Sequence, residues 1–241
     1  MKKIVLMAMM IATGINATAQ EEVTTNAGVG VETTMSSDIV SSYIWRGQDL
    51  GNVSLQPTLG IGYKGLSLTA WGSVGLSESA DTKEFDLTLG YTYGGLNLGV
   101  TDYWFNAGQD PDARYFKYDA HGTNHIFEAN IGYDFGFASA QWFTNFAGND
   151  YKENGKRAYS SYLEVVVPFK LSAIDWTATA GAVPFSSPLY ATEGFAVTNL
   201  ALKATKEIKV TDTFAVPIFA QIAANPCSQK AYLFFGFTLQ P

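Results

Sequence analysis

The chain has 241 residues, with 15 basic and 22 acidic side chains, a formal net charge of −7 and a pI of about 4.8. That balance excludes a nucleic-acid partner, which would require a basic face. One cysteine, Cys227, excludes an intrachain disulfide framework, and no mature segment is apolar over the roughly twenty residues of a spanning helix, so any passage through a bilayer is by a closed sheet.

Residues 1–19 read as a secretory signal peptide. Lys2-Lys3 precede an apolar run from Ile4 to Ile15, and Ala17-Thr18-Ala19 is an A-x-A cleavage pattern. Its removal leaves 13 basic against 22 acidic side chains, a net charge of −9. Residues 20–34 are polar and Thr-rich, and are expected to form a flexible periplasmic segment ahead of a barrel over 35–241.

From there the pattern predicts about twelve strands of roughly ten residues each, the length that crosses a bilayer when tilted. They run approximately over Ser37 to Arg46, Ser54 to Tyr63, Leu66 to Gly75, Glu84 to Tyr93, Leu96 to Phe105 and His125 to Tyr133. The second half continues over Ala138 to Ala147, Ala158 to Phe169, Ile174 to Val183, Phe195 to Thr205, Phe214 to Ala224 and Lys230 to Leu239. The predicted fold class is all-β, an antiparallel transmembrane up-and-down β-barrel of about 12 strands.

The fourth and fifth strands show the logic most plainly. Phe85, Leu87, Leu89, Tyr91 and Tyr93 alternate with Asp86, Thr88, Gly90 and Thr92, and after Gly94-Gly95 the return strand alternates Leu96, Leu98 and Val100 with Asn97, Gly99 and Thr101. A Gly-Gly pair supplies the positive φ of a two-residue hairpin turn. Pairing Tyr93 with Leu96 makes the two apolar faces coincide. The other face is small and neutral, which suits a lumen. Continuing that register sets Asp102 opposite Leu87 on the apolar side. A bulge near Val100 or Thr101 is expected to turn Asp102 inward.

The connections sort by length. Alternate ones are tight, as at Lys64-Gly65, Gly94-Gly95, Asp134 to Phe137 and Lys170 to Ala173, whereas Asn106 to Asn124, Gly148 to Arg157 and Pro184 to Gly194 are long. Outer-membrane barrels place short turns at the periplasm and long loops outside. Lys206 to Thr213 departs from the rule as a longer inner link, and Asn225 to Gln229 as a short outer one. The last strand sets Leu233, Phe235, Phe237 and Leu239 on one face, in the manner of the C-terminal signal for the barrel-assembly machinery.

Arg46 stands out because an arginine facing lipid at mid-bilayer costs roughly 2–4 kcal/mol. It is expected to point inward and pair with Asp86, Glu128 or Glu164, with Asp86 and Asp102 forming an acidic lumen cluster. Two roles remain open for it, a structural ion pair and an eyelet charge that selects solutes. His121 and His125 flank the longest loop near Asp110, Asp112 and Asp119, yet the chain has no G-x-S-x-G, no H-E-x-x-H and no paired cysteines. No catalytic residue, metal or cofactor is expected, and Gln109 to Asp112 and Cys227 are given no role.

Ser41-Ser42-Tyr43-Ile44-Trp45-Arg46-Gly47 carries an S-x-Y-x-x-R-G pattern. Together with Trp71-Gly72-Ser73, Glu84 and Asp86, Gly90-Tyr91, Asp102-Tyr103, Glu128 and Gly132, and Tyr159 to Glu164, it resembles the TorF family of porin-type proteins and uncharacterised outer-membrane barrel proteins of Bacteroidetes. The resemblance implies an outer-membrane barrel with a pore role and brings no substrate or catalytic residues. The expectation is a monomeric porin-like channel of a Gram-negative outer membrane, surrounded by lipid and lipopolysaccharide and passing small solutes. The alternatives are a closed structural barrel with ligand- or lipopolysaccharide-contacting loops and, less favoured, a lipid-modifying enzyme.

Overall fold

The computed structural model describes residues 30–77, 81–106, 113–212 and 214–241. The predicted signal peptide, most of the 20–34 segment, and Gln109 to Asp112 lie outside the described residues.

Twelve antiparallel strands close into one barrel: β1 (Glu32–Val40), β4 (Ser54–Tyr63), β5 (Leu66–Gly75), β6 (Lys83–Tyr93), β7 (Leu96–Asn106), β8 (His125–Asp134), β9 (Ser139–Gly148), β10 (Ser161–Leu171), β11 (Ile174–Val183), β12 (Ala196–Lys209), β13 (Ala215–Asn225) and β14 (Lys230–Leu239). β2 (Tyr43–Trp45) and β3 (Gln48–Gly51) pair only with each other. The first wall strand therefore differs from the expected Ser37 to Arg46. It begins at Glu32, inside the segment expected to be loose, and stops at Val40. Thr33 and Thr34 pair with Ile61 and Gly60, so they are part of the wall. At the other end Ser41 closes the seam, its N–H donating to the Phe235 carbonyl at 2.9 Å and its Oγ accepting the Phe235 N–H at 3.0 Å. Beyond it, positive φ at Arg46 (48°) and Gly47 (79°) reverses the chain into the β2–β3 hairpin.

The barrel is turned inside out relative to a soluble domain. Leu59, Ile61, Leu66, Leu68, Leu89 and Ile131 are exposed on the outer face, whereas Gln56, Thr58, Ser73, Thr88, Asn97, Thr101 and Asn130 are buried within. Strand alternation produces this directly, because residues of one parity face one side. In β6 and β7 the pairing runs unbroken from Lys83↔Asn106 to Tyr93↔Leu96. The expected bulge at Val100 or Thr101 is absent, and Asp102 stays opposite Leu87 on the outward face.

All the long connections lie at one end, together with the short link 226–229, and the other end carries short links. β12 continues in register as far as Lys209, paired with Ala215, so half of the expected long inner link at 206–213 is strand and the connection that is left is short. The seam between β1 and β14 is the shortest pairing in the wall, from Ser37↔Leu239 to Val40↔Gly236.

At the β6–β7 turn both glycines have positive φ, 56° at Gly94 and 88° at Gly95. A Cβ at Gly94 would meet nothing, whereas one at Gly95 would lie 2.8 Å from the Asp134 carbonyl oxygen. Gly94→Asn is expected to change unfolding stability by less than about 0.5 kcal/mol, since Asn tolerates the left-handed region. Gly95→Val is expected to cost roughly 1–3 kcal/mol. Denaturant midpoints for the two variants, measured side by side, check the contrast.

Candidate functional site: a constriction across the lumen

The β2–β3 hairpin crosses the inside of the barrel. Its sequence alternates, but both parities are apolar, which suits a segment packed on two sides. Tyr43 and Trp45 enter a cluster with Trp71, Phe143, Tyr162, Val183 and Tyr190. Ile44 turns the other way, against a second cluster of Val40, Phe219, Ala223 and Phe234. Gly47 makes the tight approach to β12 possible, since a Cβ there would collide with the Thr198 carbonyl. The amide of Asn225 donates to the Gly47 carbonyl at 3.1 Å and fixes the tip.

Arg46 sits at that tip, 5% exposed. Its guanidinium grips Glu128 of β8 with both prongs, Nη1 to Oε2 at 2.7 Å and Nη2 to Oε1 at 2.9 Å. Nη1 also donates to the Tyr190 hydroxyl at 2.7 Å, and the Tyr103 hydroxyl donates to Glu128 Oε1 at 2.8 Å. Three rings surround the cation, Phe143 at 4.1 Å and Trp45 and Tyr162 at 4.6 Å from ring centre to Cζ. Tyr190 comes from the loop between β11 and β12. It stacks on Trp45 and on Tyr162 at interplanar angles of 18°, and so joins a second loop to the hairpin. Burial pushes its phenol above the ordinary tyrosine range, with the Arg46 charge opposing, so Tyr190 stays neutral and can accept from Arg46.

The surroundings are acidic. Tyr43 donates to Glu84 at 2.9 Å, Tyr162 donates to Glu164 at 3.0 Å, and Asp86 is buried two residues from Glu84 on the same face of β6. One guanidinium thus stands among Glu84, Asp86, Glu128 and Glu164. Of the residues expected around Arg46, Glu128 is in contact, while Asp86 and Glu164 line the same lumen through other partners.

Asp102 is elsewhere. It faces outward and contacts Nδ1 of His125 at 2.7 Å, with His125 wholly buried beneath the β7–β8 loop. A paired and covered carboxylate has no need of an inward bulge, which is why the register continues past it. His121 lies against the Tyr151 ring at 4.4 Å, Cys227 is exposed, and among the described residues no cluster of metal-type ligands occurs.

Sequence reasoning missed the aromatic cage and the part played by Glu84. The available signal was the double apolar parity of Tyr43-Ile44-Trp45, which a wall strand with one polar face would not show. Tyr190 left no local trace, because it reaches the site only through the closing of the barrel.

No family model matches the chain, and no curated protein matches it. Among solved structures, a chain from "Unveiling the Mechanism Behind the in-meso Crystallization of Membrane Proteins" aligns at a TM-score of 0.40 and 9% identity, over 88% of this chain and 83% of its own, a likeness too slight to bear on fold or function.

Arg46→Ala leaves the Glu128 carboxylate buried without its cation and is expected to destabilise the protein by roughly 3–5 kcal/mol. Arg46→Lys keeps a charge but loses the two-pronged contact and the stacking, at a cost of roughly 1.5–3 kcal/mol. Urea unfolding followed by tryptophan fluorescence measures both, and equal midpoints for wild type and Arg46→Ala would contradict the assignment.

Proposed function

We propose that the chain is an outer-membrane β-barrel whose passage is closed at rest by the β2–β3 hairpin, and that it serves as a gated conduit for small solutes. An apolar outer face enclosing a polar interior supports the membrane setting. In lipid every backbone polar group must be satisfied within the protein, and a closed barrel achieves this. The export signal, the sorting of loops to one end and the spaced motifs resembling the TorF family point the same way. In this reading the protein acts as a monomer, is assembled through its terminal strand and performs no catalysis.

The gated character rests on one observation, the Arg46 cation held across the lumen by Glu128 and the surrounding rings. A twelve-stranded barrel is narrow enough for one inward hairpin to obstruct it. Displacing the hairpin would uncover Glu84, Asp86, Glu128 and Glu164, and a pore lined by carboxylates favours cations. A second reading is a permanently closed structural barrel. It draws on the packing of the hairpin on both faces, with Trp45 buried in one cluster and Ile44 half-buried against the other.

Planar-bilayer recording separates the two. The gated reading expects rare or no conductance steps from the wild type. It expects frequent cation-selective steps from Arg46→Ala and from a variant in which residues 43–51 are replaced by a short Gly-Ser linker. A wild type that conducts constitutively contradicts closure at rest. Silent channels from both variants, with the barrel folded, would favour the permanently closed structure.

A further inference from the structure

Of the groups that touch Arg46, Tyr190 alone comes from a loop outside the hairpin, so its position depends on what holds that loop. The loop is closed on itself. The Ser187 N–H donates to the Thr192 carbonyl at 2.9 Å and the Thr192 N–H donates back to the Ser187 carbonyl at 3.0 Å. Within this turn the Ala191 N–H donates to the Pro188 carbonyl at 3.2 Å, with Ala191 at φ 51°. The N–H of Tyr190 itself donates to Ser187 Oγ at 3.4 Å.

From Ser187 a chain of hydrogen bonds runs into the β9–β10 loop. Ser187 Oγ donates to Ser160 Oγ at 2.8 Å, Ser160 Oγ donates to Asp150 Oδ1 at 2.7 Å, and the Ser160 N–H donates to Oδ2 at 2.9 Å. The direction of the chain is forced. An ionised carboxylate only accepts, so the one hydroxyl proton of Ser160 goes to Asp150, Ser160 accepts from Ser187, and the Ser187 oxygen is left for the Tyr190 N–H. Asp150, Ser160 and Ser187 are 4%, 2% and 1% exposed, and among the described residues no ion pair includes Asp150. These donors therefore offset the cost of burying its charge. Bonds that end on a charge are roughly twice as strong as neutral ones, and successive bonds polarise one another. The base of the β9–β10 loop is fixed as well, since Gly148 at φ 80° turns the chain out of β9 and the Ala158 N–H donates to the Asp150 carbonyl at 2.9 Å. Its tip, residues 152–156, is exposed.

We propose that Asp150 is a positioning residue of the gate. Acting through Ser160 and Ser187, it sets Tyr190 against Arg46, so that the β9–β10 loop holds the β2–β3 hairpin shut and its displacement releases it. One unbroken path of contacts supports this, from Asp150 through Ser160 and Ser187 to Tyr190, and from the Tyr190 hydroxyl and ring to Arg46 and Trp45. With Tyr190 misplaced, Arg46 loses an acceptor and Trp45 loses a stacking partner, while the Glu128 contact remains, and closure is weakened without being abolished. The proposal rests on the gated reading above.

The test uses the full mature chain in planar bilayers. Asp150→Ala and Ser187→Ala are each expected to raise the opening frequency at least about tenfold over the wild type, the effect on an equilibrium of losing one charge-assisted hydrogen bond. The conductance of the open state is expected to stay the same, because the lumen carboxylates are untouched. Asp150→Asn keeps an acceptor oxygen for Ser160 without the charge and is expected to fall between. The double variant Asp150→Ala/Ser187→Ala is expected to open no more often than either single one, since both act through Tyr190; a further multiplied rise overturns the shared path. A role in folding alone would lower the unfolding midpoint and leave the opening frequency at the wild-type value, and that result overturns the proposal. A heat-modifiable band on gels checks folding. Should Asp150→Ala fail that check, Ser187→Ala decides by itself, because it leaves the carboxylate and both of its Ser160 donors in place. If Arg46→Ala opens the channel and Ser187→Ala does not, the positioning role falls and the gated reading stands. A silent Arg46→Ala, or a wild type that is always open, removes the gated reading itself.

Discussion

A guanidinium taken out of water loses several kcal/mol of hydration, and a carboxylate in its plane with further hydrogen-bonding groups around it is what offsets that loss. Arg46 meets this condition with Glu128, Tyr190 and three rings, and Glu128 meets the reciprocal one with Arg46 and Tyr103. Neither charge can leave the arrangement alone without stranding the other. The contact joins the tip of a loop hairpin to a wall strand on the far side of the lumen, so a local pairing becomes a constraint on the whole interior. Tyr190 extends it to a second loop, and Asn225 holds the tip against the β13 wall.

The remainder of the barrel is shaped to accommodate this crossing. β1 ends at Val40, and Ser41 finishes the pairing with β14 before the chain turns inward. The small residues at Gly47 and Gly181 leave room where a side chain would strike Thr198 or the Tyr162 ring. The lumen divides accordingly. Aromatic and acidic groups gather around the hairpin tip, while Lys203 lies in another part of the interior with its ammonium 3.6 Å from the Phe219 ring, near the apolar cluster that receives Ile44. Outside, the same strands present leucine, isoleucine and valine. The two faces of each strand are thus sorted, polar inward and apolar outward, which is why a chain of modest mean hydropathy can carry so much apolar surface outward.

The wall was legible in the sequence because a period of two residues is written locally. Alternation from Phe85 to Val100, with Gly94-Gly95 between, sets register and facing without reference to distant residues. Where local reading failed, the deciding partner was remote in the chain. Val40 and Tyr43 look like one continuous strand until the seam with β14 is known. Asp102 looks misplaced on an apolar face until His125 and the loop that covers it are added, and only that partner on β8 distinguishes a covered hydrogen-bonded pair from a bulge. Arg46 was recognisable as an inward charge from its cost in lipid. Its choice of Glu128 over Asp86 or Glu164 was not, because all three project into the lumen and only closure of the barrel sets their distances.

The interior is held by a direct energetic tie between Arg46 and Glu128. A double-mutant cycle with Arg46→Ala, Glu128→Gln and the double variant, read as unfolding free energy in lipid vesicles, measures that tie. The lock described here predicts a coupling of about 2 kcal/mol or more, with the double variant more stable than the sum of the single losses implies. Losses that add to within about 0.5 kcal/mol would contradict it, since residues that do not share an interaction behave independently.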